Sequence, residues 1–349
     1  MLDEIIKASS NIGDGDALPS HPNRVIQADV DGIVYHTADL SKSLESNLKG
    51  TLNYLEWLRE AAGATYISAH TTMYLKGGRS EMAHYYPYQR ERGNGMNPDL
   101  RQRVKDLRLA LHNISNQTVY PCPQWFVEAD DSMTRMHNEM IAKSGDSLIS
   151  VIASGDKDLR MNGGIFFDLN TKKFSNQGYW DNGWQDIFGK AEYVRPTGKS
   201  GKLSGRGTAV FWAQMLGGDT ADTIKGVPYA YQAYLDTYDP LSSNKRRSSS
   251  AKKAFGMSLA CKVVSHFKSD KGAYNAVASA YRAHFGADWK FFFFENAFLL
   301  WMRRTNDTLD VMHFLEPLGF QYELHSQQKA ALQAYYAKCI EFNKQNGIS

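Results

Sequence analysis

The chain has 349 residues and is 42% apolar and 12% aromatic, with seven Trp, nineteen Tyr and seventeen Phe. That is too aromatic for a disordered chain and long enough for one large domain or two ordinary ones. Forty Lys and Arg against thirty-seven Asp and Glu leave only +3, a near-balance that argues on its face against a nucleic-acid binder.

Cys122, Cys261 and Cys339 are odd in number, far apart and without C-x-x-C spacing, so neither a disulfide framework nor a cysteine zinc site is expected. The start, MLDEIIKASS, has acids before any apolar run, so no secretory signal is expected there. The densest apolar stretch, Phe291–Met302, is broken by Glu295 and Asn296 and too short to span a membrane. Phe291, Phe294, Phe298, Trp301 and Met302 recur at helical spacing and predict a buried helix face. With a mean hydropathy of −0.47, a soluble, intracellular, cytoplasmic protein is expected.

In chain order, a short helix is expected over 3–9, then a buried strand over Val25–Val34 that ends in Asp-Gly. Residues 42–61 read as a helix and Tyr66–Ala69 as a second strand. Residues 72–97, rich in glycine and aromatics, read as a long irregular loop or arch. A helix over 99–113, a strand over Thr118–Pro121, a helix over 128–143 and a strand over Ser147–Ala153 follow. Strands alternating with helices imply a parallel α/β sheet. Beyond about residue 205 the pattern becomes helical, over 207–216, 256–268, 270–285, 287–305 and 329–344, with basic or glycine-rich loops over 195–207 and 240–253.

Ligands of an open parallel sheet bind beyond the carboxyl ends of its strands, so acids at that address are the ones to collect. They are Asp29 and Asp31 in QADVDGIVY, Glu128, Asp130 and Asp131 in FVEADDSM, Asp156 and Asp158 in IASGDKDL, and Asp219 and Asp222 in MLGGDTADTIKGVP. Each motif alone is an ordinary helix start or turn. Together, so many carboxylates without counter-charge would be costly unless hard divalent cations neutralised them. Glu128 and Asp131, and likewise Asp219 and Asp222, are three apart and expected to share helix faces. Two Mg²⁺ or Mn²⁺ ions would suit phosphodiester hydrolysis.

The four motifs, in this order, resemble the 5′-nuclease family of flap endonucleases, polymerase-associated 5′-nuclease domains and phage 5′–3′ exonucleases, over about Val25 to Val227. The resemblance implies a parallel-sheet, PIN-like α/β nuclease core over 20–205, with an arch at about 72–100. A helical, helix–three-turn–helix region over 206–305 would bind duplex DNA, and a helical tail would occupy 306–349. It makes Asp31, Glu128, Asp130, Asp131, Asp156, Asp158, Asp219 and Asp222 the ligands of two ions, and it implies a K⁺ site in the turn after Gly226-Val227-Pro228, where the usual G-x-G-x-K segment is absent. The chain departs from the family at Ser68-Ala69-His70-Thr71-Thr72, where an aspartate is usual, and at Tyr88-Gln89-Arg90-Glu91-Arg92, where Gln89 replaces a lysine. Arg79, Arg90 or Arg92 would then supply the charge at the scissile phosphate.

Residues 75–108 hold eight Lys or Arg against four acids, interleaved with Tyr74, Tyr85, Tyr86 and Tyr88. Aromatics can stack unpaired bases while cations track phosphates. Lys199, Lys202 and Arg206, then Lys225, then Lys245, Arg246 and Arg247 are candidate contacts to duplex phosphates. The expected activity is a Mg²⁺-dependent 5′–3′ exonuclease and flap endonuclease, a monomer acting in replication or recombination, in the host cytoplasm if phage-encoded. Its partners would be 5′-ended or flapped DNA, or an RNA·DNA hybrid. The alternatives are a PIN-like ribonuclease, or a catalytically reduced protein that binds branched DNA without cutting it. Segregated charge, acids for metals and basic loops for phosphates, would account for the small net charge.

Overall fold

Val25–Asp29 forms the first strand, β1, at the centre of a six-stranded sheet. The computed structural model describes residues 17–90, 97–114, 116–176, 188–195, 201–227 and 256–347, so the helix expected over 3–9 lies outside the described residues. The strand expected to run to Val34 stops five residues early. Asp29 accepts the Gly32 N–H and starts helix α1, Val30–Thr37. A capping carboxylate inside a continuous apolar run turns strand into helix without changing the hydrophobic pattern.

The chain divides into two units: Met1–Lys76 with Gly93–Ile187 and Met302–Asn306, and Gly77–Arg92 with Phe188–Trp301 and Asp307–Ser349. In the first, α1 is followed by α2, Leu44–Ala61, capped by Ser43, and by β2, Tyr66–Thr72. Then come α3, Pro98–His112, with Asn97 as cap and proline at its first position, and β3, Val119–Gln124. Helix α4, Ala129–Ser144, ends on Gly145, and β4 spans Ser150–Ser154. A hairpin not expected from the sequence, β5 Ile165–Asp168 and β6 Lys173–Asn176, completes the sheet.

The strand order is β3-β2-β1-β4-β5-β6, parallel except for β6. The winding reverses between β1 and β4, the switch point at which open α/β sheets bind ligands. Strand alternation gives the sheet two different faces. Ile26, Ala28, Ile67, Ala69, Val151 and Ala153 belong to an apolar core with Leu55, Leu58, Val104 and Leu107 of α2 and α3. The opposite parity carries Gln27, Asp29, Ser68, His70, Ser150 and Ser154, all buried. Helix α4 packs against β1, β2 and β4 and itself buries Asp131, Ser132, Thr134, His137 and Asn138.

Buried polar groups are normally paired, and most of these are, Asn138 being the exception with neither side-chain amide atom hydrogen-bonded among the described residues. The Ser132 hydroxyl meets His70 Nδ1 at 3.1 Å, and His70 Nε2 donates to Gln27 Oε1 at 2.9 Å. Gln27 Nε2 reaches Ser150 Oγ at 3.4 Å, Ser150 meets His137 Nδ1 at 3.0 Å, and His137 Nε2 donates to the Gly163 carbonyl at 2.8 Å. Each partner fixes one tautomer, with both imidazoles neutral. Gly164, at φ +85°, is needed here, because a Cβ would stand 2.8 Å from His137 Nε2.

The second unit begins its described core with an antiparallel hairpin, β7 Lys190–Val194 and β8 Lys202–Arg206. The sequence reads 195–207 as a loop; the paired, buried Ala191 and Leu203 give part of it strand structure instead. Helix α5, Thr208–Gly217, is buried on every side and leads into a two-residue ladder, β9 Gly218–Asp219 with β10 Ile224–Lys225. Helices α6 Met257–Val264, α7 Asp270–Phe285, α8 Trp289–Leu300, α9 Asp310–Leu315 and α10 Ser326–Gln345 follow. Trp212, Trp301, Phe211 and Phe314 form its aromatic core, Trp301 and Phe314 stacking at 4.4 Å. Among the described residues no helix is long and apolar enough to cross a membrane, and the three cysteines are free thiols.

Candidate active site at the carboxyl ends of the strands

Asp29 ends β1 and caps α1; its Oδ1 accepts the Gly32 N–H at 2.9 Å and its Oδ2 the Ser154 hydroxyl at 2.8 Å. Asp31, in the first turn of α1, accepts the Thr72 N–H at 3.0 Å and faces Arg108 Nε at 2.9 Å. Glu128 is the N-cap residue of α4, and Asp130 lies in its first turn. Asp156, just beyond β4, accepts the Asp158 N–H at 2.9 Å.

These five carboxylates sense one another. Burial, then the charges of Asp29, Asp156, Glu128 and Asp31, push the Asp130 carboxyl well above the ordinary aspartate range. Burial, then the charge of Asp31, pushes Asp29 up to about 6, against two hydrogen bonds that favour its ionised form. Crowding of this kind opposes ionisation, a cost that a bound cation would relieve. The donors are all carboxylate oxygens, the chemistry that Mg²⁺ or Mn²⁺ prefers. Among the described residues no three acidic, His or Cys side chains close tightly enough to enclose an ion by themselves. Mg²⁺ does not require such a cage, since it keeps several waters and takes one or two carboxylates with the substrate's phosphate.

Two further acids expected in this set, like Asp31, have cationic neighbours. Asp131 accepts the Arg303 N–H at 3.0 Å, with Arg303 Nε at 3.9 Å. Asp158 lies 3.1 Å from Lys157 Nζ. Glu128 and Asp131 are three apart, yet the first stands at the N-cap position without a side-chain capping hydrogen bond, while the second pairs with Arg303. Thr72 stands where the family's aspartate is usual, and its hydroxyl accepts the Ala129 N–H at 2.9 Å. It helps to cap the helix that carries Glu128 and Asp130.

In the second unit, Asp219 and Asp222 lie on the β9–β10 turn, not on a helix face as expected. Asp219 accepts Gln214 Nε2 and the Ala221 N–H, each at 2.8 Å. Gly218, at φ +76°, lets the turn close, because a Cβ there would meet the Ile224 carbonyl oxygen at 2.4 Å. Gln89, buried at φ 54°, donates its N–H to the Asp222 carbonyl at 2.9 Å. Tyr88 donates its hydroxyl to Asp222 Oδ2 at 3.3 Å.

Arg79 was expected to hold substrate, and here the expectation is corrected. Its side chain is fully buried, and Nη2 donates to the Trp301 carbonyl at 2.7 Å. A basic residue in a glycine-rich loop reads as exposed, whereas this one is an internal brace. Arg79→Ala is expected to cost about 3 kcal/mol, by leaving a cavity and a buried carbonyl without its donor, as measured by urea unfolding. Arg90, Lys202, Arg206 and Lys225 are exposed, and Lys225 Nζ lies 5.1 Å from the Tyr86 ring centre. Arg92, Lys199, Lys245, Arg246 and Arg247 lie outside the described residues.

No family model matches the chain, and no curated protein matches it in sequence. Among solved structures, the bacteriophage T5 flap endonuclease, as a pseudo-enzyme–product complex with DNA and metal ions, matches at 12% identity and a TM-score of 0.51, over 90% of this chain and 99% of that one. The same phage's protein co-crystallised with metal ions matches at 12% identity and a TM-score of 0.51, over 89% and 98%. This chain has the flap endonuclease fold.

Within that fold, sequence reasoning noticed Asp29 but did not place it in the primary acidic set. Its signal was the pair of aspartates spaced two apart at a strand end, QADVD. Arg108 and Arg303 were missed altogether, since a cation's partner 77 or 172 positions away leaves no local pattern.

Proposed function

We propose that the chain is a divalent-metal-dependent 5′-nuclease that hydrolyses DNA phosphodiester bonds at 5′ ends or flaps, including the RNA strand of a hybrid. The observation that carries this reading is the placement of Asp29, Asp31, Glu128, Asp130 and Asp156 at the switch point, where burial first and then neighbouring carboxylate charges push Asp29 and Asp130 above their ordinary titration range. The T5 protein's complex with DNA and metal ions supports it by likeness of fold.

In this reading the five carboxylates hold one or two Mg²⁺ or Mn²⁺ ions; Asp131, Asp158, Asp219 and Asp222 are proposed as metal ligands on the family resemblance alone. When bound, such ions activate water and stabilise the leaving oxygen of a phosphodiester. The chain's own contributions are positional. Ser154 and the Gly32 N–H orient Asp29, the Thr72 N–H and Arg108 orient Asp31, and the Thr72 hydroxyl steadies the first turn that carries Asp130. Exposed Arg90, Lys202, Arg206 and Lys225, with Arg92, Lys199, Lys245, Arg246 and Arg247, are proposed to hold backbone phosphates without reading sequence. Replication or recombination, inside the cell, is the setting that suits such a reaction.

A second reading has its own observation. The usual aspartate is Thr72, engaged with Ala129, and the usual lysine is Gln89, buried on Asp222. Both favour a protein that binds 5′-ended DNA without cutting it. The test is incubation of the protein with a 5′-labelled duplex, in Mg²⁺ and in EDTA, beside a single-stranded RNA. Cleavage of the duplex in Mg²⁺ alone is expected. Binding without cleavage would establish the second reading, and preference for the RNA would establish a ribonuclease.

A further inference from the structure

A cavity of about 260 Å³ opens beside the first turn of α4, within the first unit. Trp125 and Phe126, on the segment joining β3 to α4, form an apolar wall; Arg135 and Arg303 bring two guanidinium groups, and Asp131 one carboxylate. Two positive charges against one negative leave the lining cationic. Asp131 is committed to Arg303. Arg135 pairs with no carboxylate among the described residues; its Nη1 donates to the neutral amide oxygen of Asn306, which orients the guanidinium and leaves its charge unbalanced. A half-buried, oriented arginine without a counter-ion, facing a cavity, is built to receive an anion.

The rest of the lining says which anion. An aromatic wall beside arginines is the pairing that stacks a base and grips its phosphate. The volume falls just below the roughly 300–1,000 Å³ of drug-sized pockets, which limits the occupant to about one nucleotide. Ser132, also in the lining, is oriented by His70 Nδ1 at 3.1 Å.

We propose that this cavity is a nucleotide site for one base, sugar and terminal phosphomonoester, adjoining the carboxylate cluster. Asp131 and Ser132 line the pocket on the same turn that carries Asp130, so the two sites adjoin. The ligand is either the 5′-phosphorylated end of a strand or a free mononucleotide. Its assignment to a strand end rests on the proposed nuclease reading; its chemistry does not.

Binding is measured by equilibrium dialysis in EDTA, so that it is read apart from cleavage. The probes are dAMP, deoxyadenosine, and a short single strand with either a 5′-phosphate or a 5′-hydroxyl. The expected result is dAMP binding at least tenfold tighter than deoxyadenosine. Arg135→Gln should weaken it at least tenfold, and so should Asn306→Asp, which supplies Arg135 with a counter-ion at nearly unchanged shape. Unchanged thermal midpoints identify folded variants, and Asn306→Asp carries the test if Arg135→Gln fails to fold. Competition by the 5′-phosphorylated strand but not the 5′-hydroxyl strand assigns the site to strand ends; competition by neither assigns it to the free nucleotide. Equal binding of dAMP and deoxyadenosine, or dAMP binding untouched by the folded variants, overturns the proposal. A protein that binds dAMP as described yet cleaves nothing would refute the nuclease reading and leave the pocket standing.

Discussion

Asp130→Asn is expected to lower metal-dependent strand cleavage at least a thousandfold while raising the thermal stability of the metal-free protein. Asparagine keeps the shape of the side chain and removes its charge. Losing a carboxylate that holds a catalytic cation costs several kcal/mol of transition-state stabilisation, each 1.4 kcal/mol being about tenfold in rate. The stability effect has the opposite sign. An acid in a helix's first turn is normally favourable, through the macrodipole. At Asp130, burial and four neighbouring carboxylates override that benefit, as the upward push on its pKa shows. Thermal melts in EDTA and cleavage of labelled duplex in Mg²⁺ check the two halves. An inactive variant that melts lower than wild type in EDTA would mean that Asp130 serves the helix and not a cation.

The second large effect is acid sensitivity. His70, buried under α4 and near the charge of Arg135, is pushed down to about 3, and His137, buried beside it, to about 4. In the unfolded chain both titrate near 6.5. As pH falls below 6.5 the unfolded state takes up protons that the folded state refuses, so stability drops by about 1.4 kcal/mol per pH unit for each histidine. The loss runs from pH 6.5 to about 4 for His137 and about 3 for His70. Asp29 works against it: raised to about 6 in the fold, it takes up its proton before the unfolded chain does and adds stability as pH falls from 6 toward 3.8. Asp130 has the same sign. The metal-free wild type should therefore lose little stability between pH 6 and pH 4. Asp130→Asn should lose stability more steeply than wild type over that window, because one compensating proton is gone. Urea unfolding across that range decides it; parallel pH profiles for the two proteins would refute the coupling.

Much of the fold and part of the site were legible in the sequence. The spacing of apolar residues located α2, α3, α4, α5 and α7, and the acids Asp31, Glu128, Asp130 and Asp156 fall at strand ends, as expected of an α/β sheet. What escaped has physical reasons. VIQADVDGIVY carries apolar residues on both sides of Asp29, and periodicity cannot say that Asp29 stops the strand and starts a helix. The polar face of the sheet was hidden because Gln27, His70 and Ser150 stand singly between apolar neighbours; only alternation across three strands makes them a network. Arg79 looked like a loop cation because burial depends on Trp301, 222 positions away. Asp219 and Asp222 had a spacing that suits a helix and a turn alike, and Gly218 settles it through a backbone angle, not a side chain.

Manganese occupancy tests the central claim most directly: that the carboxylates at the β1–β4 switch point hold divalent cations. Titrating Mn²⁺ into the protein and following the free-ion signal by electron paramagnetic resonance should reveal one or two bound ions in the wild type. Asp130→Asn and Asp156→Asn should each weaken that binding tenfold or more. Titrations of the wild type and both variants that superimpose would contradict it.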